Sequence, residues 1–343
     1  MTEPKHVLVF RFSALGDVAM TVPVIKILLT QHPDLQITFV STGFVQPLFE
    51  GIDRLHFYAV DLKGKHKGVK GLYRLFKELK RLYSFDAVAD LHNVLRTQML
   101  RFFFSLNKTK MAFIDKGRAE KKQLTRKENK KLHPLKSTFN RYADVFASLN
   151  LPIELYVKQG IKDIAPKIEI EEFKKQGFKI IGVAPFAKHR EKMYPLDQMK
   201  EVVRQLNEQA DIKIYLFGSA AEAVVLQEWQ QAFQNTESLA GKMNFAKELE
   251  WIAQLDLMVS MDSANMHLAS LFGVPVVSIW GATHPFAGFY GWGQTEDNIV
   301  QVDLYCRPCS VFGNRPCYRG DWACMHSIAP DTIVKKIIKK LGE

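Results

Sequence analysis

The stretch FRFSALGDVAMTVP (residues 10–23) follows the apolar run HVLVF and reads as a first strand, a tight loop and a helix. Such loops usually cradle a nucleotide phosphate, yet here Asp17 directly follows Gly16, the only glycine of the stretch. A carboxylate at that point repels phosphate, and no G-x-G-x-x-G accompanies it, so the dinucleotide fingerprint is missing. A carboxylate within hydrogen-bond reach can instead take a proton from an attacking hydroxyl. An ordinary helix cap would select the same residue, so the loop by itself leaves both roles open. If Thr21 caps the next helix and Pro23 falls in its first turn, Asp17 lies in the loop.

A second constellation lies in VSMDSANMHLASLFGVPVVSIWGATHP (residues 259–285). A strand ends at Met261, and Asp262, Ser263 and Ala264 turn into a helix that carries His267. Asp262 or Ser263 can cap that helix, and the free N–H groups behind them suit a diphosphate. PFAKHREKMYP (185–195) places Lys188, His189, Arg190 and Lys192 in one loop after a strand. FGSAAE (217–222) follows another strand and ends on Glu222, where a carboxylate can accept from ribose hydroxyls or simply face a helix N-terminus.

These loops need strands and helices to hold them. HVLVFRF, QITFV, FDAVADL and KMAFI read as strands separated by the helices VPVIKILLTQH, GLYRLFKELKRLY and RTQMLRFFFS. Residues 116–136 accumulate charge without apolar period and read as an exposed loop before the helix FNRYADVFASLN. The pattern restarts after a passage at 151–178 with the strands KIIGVAPF, IKIYLFG, LDLMVSM and PVVSIWG. The helices between these are LDQMKEVVRQLNEQ, AAEAVVLQEWQQAF, NFAKELEWIAQL and ANMHLASLFG. Two α/β domains result, each Rossmann-like with a parallel sheet and facing a central cleft, divided as 1–165 and 166–343.

The 343 residues carry a net charge of +11, and the excess lies in the first half. Residues 63–81 hold eight Lys or Arg against Glu78, and residues 107–136 hold eleven against Asp115, Glu120 and Glu128. Such segments are either a solvated face or a dock for an anionic partner. The longest apolar run, LASLFGVPVVSIWGA, is interrupted by Gly273 and Pro275 and too short to span a bilayer, and the N-terminal VLVF is too short for a signal core. A cytoplasmic protein is expected. All four cysteines, Cys306, Cys309, Cys317 and Cys324, fall in CRPCSVFGNRPCYRGDWAC. One CxxC with two further thiols could close a structural zinc site, or the thiols could simply pack.

Taken in order, RFSALGDVAMTVP, DLHNVLR, KHREKMYP, FGSAAE and MDSANMHLASLFGVPVVSIWGATHP, with the tail CMHSIAPDTI, resemble the heptosyltransferases of glycosyltransferase family 9. The resemblance implies two Rossmann domains of the GT-B glycosyltransferase architecture and inverting transfer from ADP-heptose to the lipopolysaccharide inner core. It implies Asp17 as catalytic base, Lys192 on the donor diphosphate, Glu222 on its ribose, and Asp262, Ser263 and Ala264 in the diphosphate loop with His267 behind. Departures are visible. The usual Asp-Ser/Thr-Gly ends here in Ala264, Ala187 and Lys188 stand where hydroxyl residues are common, and Tyr194 replaces a tryptophan. Lys188 is the candidate to supply the charge those hydroxyls do not.

On this reading no metal cofactor is required, since Lys192, Ser263 and backbone N–H groups would stabilise the leaving nucleoside diphosphate. Ser13, Arg96, Lys121, Lys122 and Arg126 are candidates to hold an anionic, lipid-linked saccharide acceptor. The enzyme would sit peripherally on the cytoplasmic face of the inner membrane, with no nucleic acid as partner. An oxidoreductase is disfavoured by the missing glycine fingerprint, and a purely basic binding protein by motifs that gather at strand ends.

Overall fold

A computed structural model describes residues 3–107, 109–157 and 168–343. The expected division at 165/166 lies outside these residues. Contacts group the chain into two compact units, one of Met1–Arg118 with Lys136–Val157 and one of Ala119–Leu135 with Lys158–Glu343.

The first unit contains β1 (His6–Phe10), β2 (Gln36–Ser41), β3 (Leu55–Ala59), β4 (Ala87–Asp90) and β5 (Lys110–Phe113). They form one parallel sheet in the order β3-β2-β1-β4-β5. Val7 of the central strand pairs with Ile37 on one side and Ala87 on the other. Strands covered on both faces need continuous apolar runs, which is what β1 and β4 supply. Leu8, Phe10 and Val88 pack with Leu72, Leu75 and Phe104 from the helices Gly68–Leu82 and Leu95–Ser105.

The second unit contains β6 (Lys179–Ala184), β7 (Ile212–Leu216), β8 (Thr236–Ser238), β9 (Leu257–Met261), β10 (Val276–Ile279) and β11 (Ile299–Val300). The order is β11-β10-β9-β6-β7-β8, again all parallel. Each sheet therefore reverses direction of growth once, between β1 and β4 and between β6 and β9. In open α/β sheets, ligands sit beyond the strands' carboxyl ends at these reversals.

Two sequence expectations change. Residues 116–136 are not simply an exposed loop. They contain the helix Arg118–Leu124, and Leu124 and Leu135 pack with Ala287, Phe286 and Phe289 of the second unit. The few apolar residues among many charges hid this packing. Thr21 does not cap the helix Thr21–Gln31: Met20 occupies the cap position, and the Thr21 hydroxyl donates back to Val18 O at 2.7 Å.

Tyr194, the substitute for tryptophan, is fully buried and ties the loop after β6 to the C-terminal segment, donating its hydroxyl to Ile328 O at 2.6 Å. Tyr194→Phe leaves that carbonyl without its partner. The second unit is then expected to lose about 1 kcal/mol, measurable as a lower urea midpoint with unchanged slope.

Candidate active site

In the first unit the loops after β1, β4 and β5, three adjacent strands, carry the polar residues. Asp17 lies within the short helix Leu15–Ala19 rather than in the preceding loop, and its Oδ2 accepts from Ala14 N–H at 3.3 Å. The capping role is therefore real, but it does not exhaust the side chain. Arg11 Nη2 lies 2.5 Å from the same Oδ2, while Oδ1 takes no partner among the described residues. Arg11, 6% exposed, also donates from Nη1 to Leu91 O at 2.8 Å. Burial opposes its charge, but Tyr142 and Asp17 outweigh that and hold it firmly protonated. The Tyr142 hydroxyl donates to Asp17 O at 3.2 Å, fixing the helix from behind.

Asp90, fully buried at the end of β4, accepts from the N–H groups of His92 and Asn93 at 2.9 and 2.7 Å, and Arg101 Nε lies 3.0 Å from its other oxygen. This closes the turn that brings His92 to Phe12, whose N–H reaches His92 Nδ1 at 3.4 Å. Arg11, His92 and Lys116 were missed as site residues in the sequence. The available signal was Arg11 itself, a cation inside an apolar strand run. Of the acceptor candidates, Ser13 is exposed on the loop after β1 and Arg96 is exposed in the first turn of the helix Leu95–Ser105, which follows β4. Lys121, Lys122 and Arg126 belong to the segment Ala119–Leu135, which groups with the second unit. Lys121 is only 6% exposed, with Nζ 4.1 Å above the Phe289 ring.

In the second unit, the loops after β9, β6 and β7 again follow adjacent strands. Lys192 ends a short 3-10 turn after β6, and its Nζ pairs with Asp262 Oδ2 at 2.9 Å, both side chains nearly buried. Ser263 occupies the N-cap of the helix Ala264–Leu271 but makes no side-chain cap bond, its hydroxyl meeting Ser260 Oγ at 3.0 Å instead. The helix N–H groups, with Ala264 first, are left without a side-chain cap beside Lys192. His267 is buried one turn into the same helix, and Lys188 is exposed.

Glu222 Oε2 accepts from Ser219 N–H at 2.6 Å and from its hydroxyl at 2.8 Å, while Oε1 takes no partner among the described residues. Gly313, at φ +71°, lies against Lys192, and a Cβ there would collide with Lys192 Cγ. The cysteine-bearing segment thus backs the lysine's stem.

All four cysteines line one cavity with Arg307 and Trp322. Burial, reinforced by the neighbouring thiols, raises Cys309 and pushes Cys324 up to about 11, so both are protonated at neutral pH. Among the described residues, no three His, Cys, Asp or Glu side chains are placed to hold a metal ion. Cys306 and Cys324 are buried, and Cys324 packs into the second unit's core.

Burial, with Arg11 and Lys116 adding, lowers the His92 pKa from 6.5 to about 3. The unfolded chain then takes up the proton first, so stability falls as pH drops from about 6.5 towards 3. His92→Gln removes this contribution. Between pH 7 and pH 5, the variant is expected to lose less stability in urea unfolding than the parent chain.

The chain is similar throughout to known proteins. The lipooligosaccharide heptosyltransferase 2 of Campylobacter jejuni is 22% identical over 329 residues, 94% of each chain. Among solved structures, the glycosyl transferase family 9 protein of Veillonella parvula superposes with a TM-score of 0.75 at 20% identity, covering 98% of this chain and 97% of that one. The E. coli ADP-heptose LPS heptosyltransferase II superposes with a TM-score of 0.68 at 17% identity and covers 98% of both. These likenesses give the two-Rossmann glycosyltransferase fold. The model of glycosyltransferase family 9 (heptosyltransferase) matches residues 72–316, and the chain belongs to that family.

Proposed function

We propose that this family 9 glycosyltransferase moves a heptose, with inversion, from ADP-heptose to an anionic saccharide of the lipopolysaccharide core. The observation that carries the donor half is the uncapped helix start at Ser263 and Ala264 beside the Lys192–Asp262 pair, at the β6/β9 reversal. Backbone N–H groups, the helix dipole and one lysine suit a diphosphate and can offset the charge that develops on it as it leaves. That is the task a divalent cation performs in other transferases, so the reading includes metal independence. Glu222 Oε1 is the group offered to the donor ribose, and Lys188 an additional charge for phosphate.

The acceptor half rests on Asp17. Its Oδ2 is committed to Arg11 and Ala14, leaving Oδ1 to take the proton from the attacking hydroxyl. The new C–O bond forms at the anomeric carbon as the bond to the diphosphate breaks, and the electron pair leaves on the β-phosphate of ADP. Arg11 holds the carboxylate and Tyr142 the backbone of the helix that carries it, and Ser13 on the loop after β1 and Arg96 in the first turn of the helix after β4 meet the acceptor. The names of the Campylobacter relative and of the E. coli enzyme support heptose, and the E. coli name supports ADP as its carrier. The acceptor's lipid anchor would draw the enzyme to the cytoplasmic face of the inner membrane. Among the described residues, no helix is long and apolar enough to cross it.

Asp17→Asn is expected to lower kcat by about 10²- to 10⁴-fold, the range of general-base catalysis, with ADP affinity unchanged and a lower melting temperature, because the buried Arg11 loses its counter-charge. Near-parental turnover would remove the assigned base. For the donor, ADP at 100 times its Kd should add about 2.7 kcal/mol, seen as a thermal shift without added metal and not reproduced by UDP, GDP or CDP. Lys192→Ala and Gly313→Ala, which displaces the Lys192 stem, should both weaken that shift. A response to another nucleotide instead would retain glycosyl transfer and discard ADP-heptose.

A further inference from the structure

We infer that one face of the first unit, formed by the helices Gly68–Leu82 and Leu95–Ser105, is a docking surface for an anionic phospholipid bilayer. The inference deepens the peripheral-membrane part of the reading above and rests on it. Along the first helix Val69 and Tyr73 lie one turn apart, 59% and 45% exposed. Tyr73 meets Phe103 of the second helix with ring centroids 5.4 Å apart, and Phe103 meets Phe102 at 6.0 Å. Phe102 is 57% exposed, and Leu106, one turn beyond it, is 70% exposed. Aliphatic and aromatic side chains on two packed helices are thus left uncovered side by side, the arrangement that marks an interaction surface.

Cations surround it. Lys70, Arg74, Lys77, Lys80 and Arg81 of the same helix are all exposed. Lys77 lies over the Tyr73 ring at 4.8 Å, and Lys80 donates to Asn107 Oδ1 at 2.7 Å beside Leu106. The one acid of the segment, Glu78, is turned inward: Lys65 and His66 pair with it at 2.9 and 3.1 Å, and the Tyr58 hydroxyl donates to it at 2.6 Å. The positive charge is therefore not cancelled on its own face. In the other basic segment, Lys121 covers Phe289 and Lys130 donates to Cys306 O and Pro308 O, which ties those charges into the second unit.

A face that combines exposed aliphatics, aromatics and lysines fits the interfacial zone of an anionic leaflet, where apolar side chains enter the acyl boundary and cations meet headgroups. Nucleic acid would use the charge and the rings but has no use for Val69 and Leu106.

The test is co-sedimentation of the full chain with vesicles of phosphatidylethanolamine containing phosphatidylglycerol, against vesicles of phosphatidylcholine alone. Binding is expected only to the anionic vesicles and should weaken in high salt. Each of Lys70→Gln, Arg74→Gln and Lys77→Gln should lower vesicle affinity about fivefold, from the worth of one cation near such a surface. The triple variant Val69→Ser, Phe102→Ser, Leu106→Ser should also lose vesicle binding while retaining its circular dichroism spectrum and its heptosyl transfer to a deacylated, water-soluble core acceptor. If the chain binds anionic vesicles and these variants bind equally well, this face is wrong while membrane contact stands. If the parent chain ignores both kinds of vesicle, or binds RNA through these residues in their place, the docking inference fails. Transfer to the deacylated acceptor is scored separately and decides the catalytic reading alone.

Discussion

Every functional placement in this molecule follows from one constraint on parallel sheets. Parallel neighbours require a crossover that returns the chain to the same starting edge, so all carboxyl ends of a sheet gather on one side. Where the order of strands reverses, the two crossovers depart in opposite directions and leave a gap above the sheet that no helix fills. The orders β3-β2-β1-β4-β5 and β11-β10-β9-β6-β7-β8 each contain one such gap. The residues proposed for chemistry stand beside these gaps, and the remainder of the fold consists largely of apolar runs that hold them there.

At each gap an acid and a cation face one another, the supporting partner buried, with their roles exchanged. In the first unit Arg11 supports a carboxylate whose remaining oxygen is available, whereas in the second Asp262 supports a lysine. A lone charge at such depth would be costly to desolvate, and pairing removes most of that cost while fixing the geometry. The supporting partner therefore makes the working group tolerable in its position, although the supporting partner itself need never touch substrate. Burial of Arg11 and Asp262 matters more than their exposure to solvent would.

Much of this was legible in the sequence, and the gaps in legibility have physical reasons. The eight strands read from sequence lie mainly within the sheets, covered on both faces, and covering demands uninterrupted apolar runs such as HVLVF and LDLMVSM. The strands β3, β8 and β11 escaped because they are edges: β3 has no fully buried residue, and β8 and β11 are three and two residues long. The helix Pro330–Leu341 escaped because only Ile333 and Ile337 are buried among four lysines. The strand ends that carry Asp17, Lys192, Glu222, Asp262 and Ser263 were legible, but the partners of these side chains were not. That Ser263 turns towards Ser260, or that Gly313 braces Lys192 from more than a hundred residues away, depends on tertiary packing.

The segment Ala119–Leu135 lies between two stretches of the first unit yet packs into the second. A ribosome therefore completes the first unit's last stretch, up to Val157, while Leu124 and Leu135 still await Phe286 and Ala287. Until about 130 more residues have been made, up to Ala287, those two leucines and the surrounding lysines hang from a folded unit without their cover. The second unit then cannot complete its core in strict order of synthesis, and cutting the gene just after Val157 would deprive it of part of that core. The two halves of this enzyme are inherited and folded as one piece, even though each carries a sheet complete in itself.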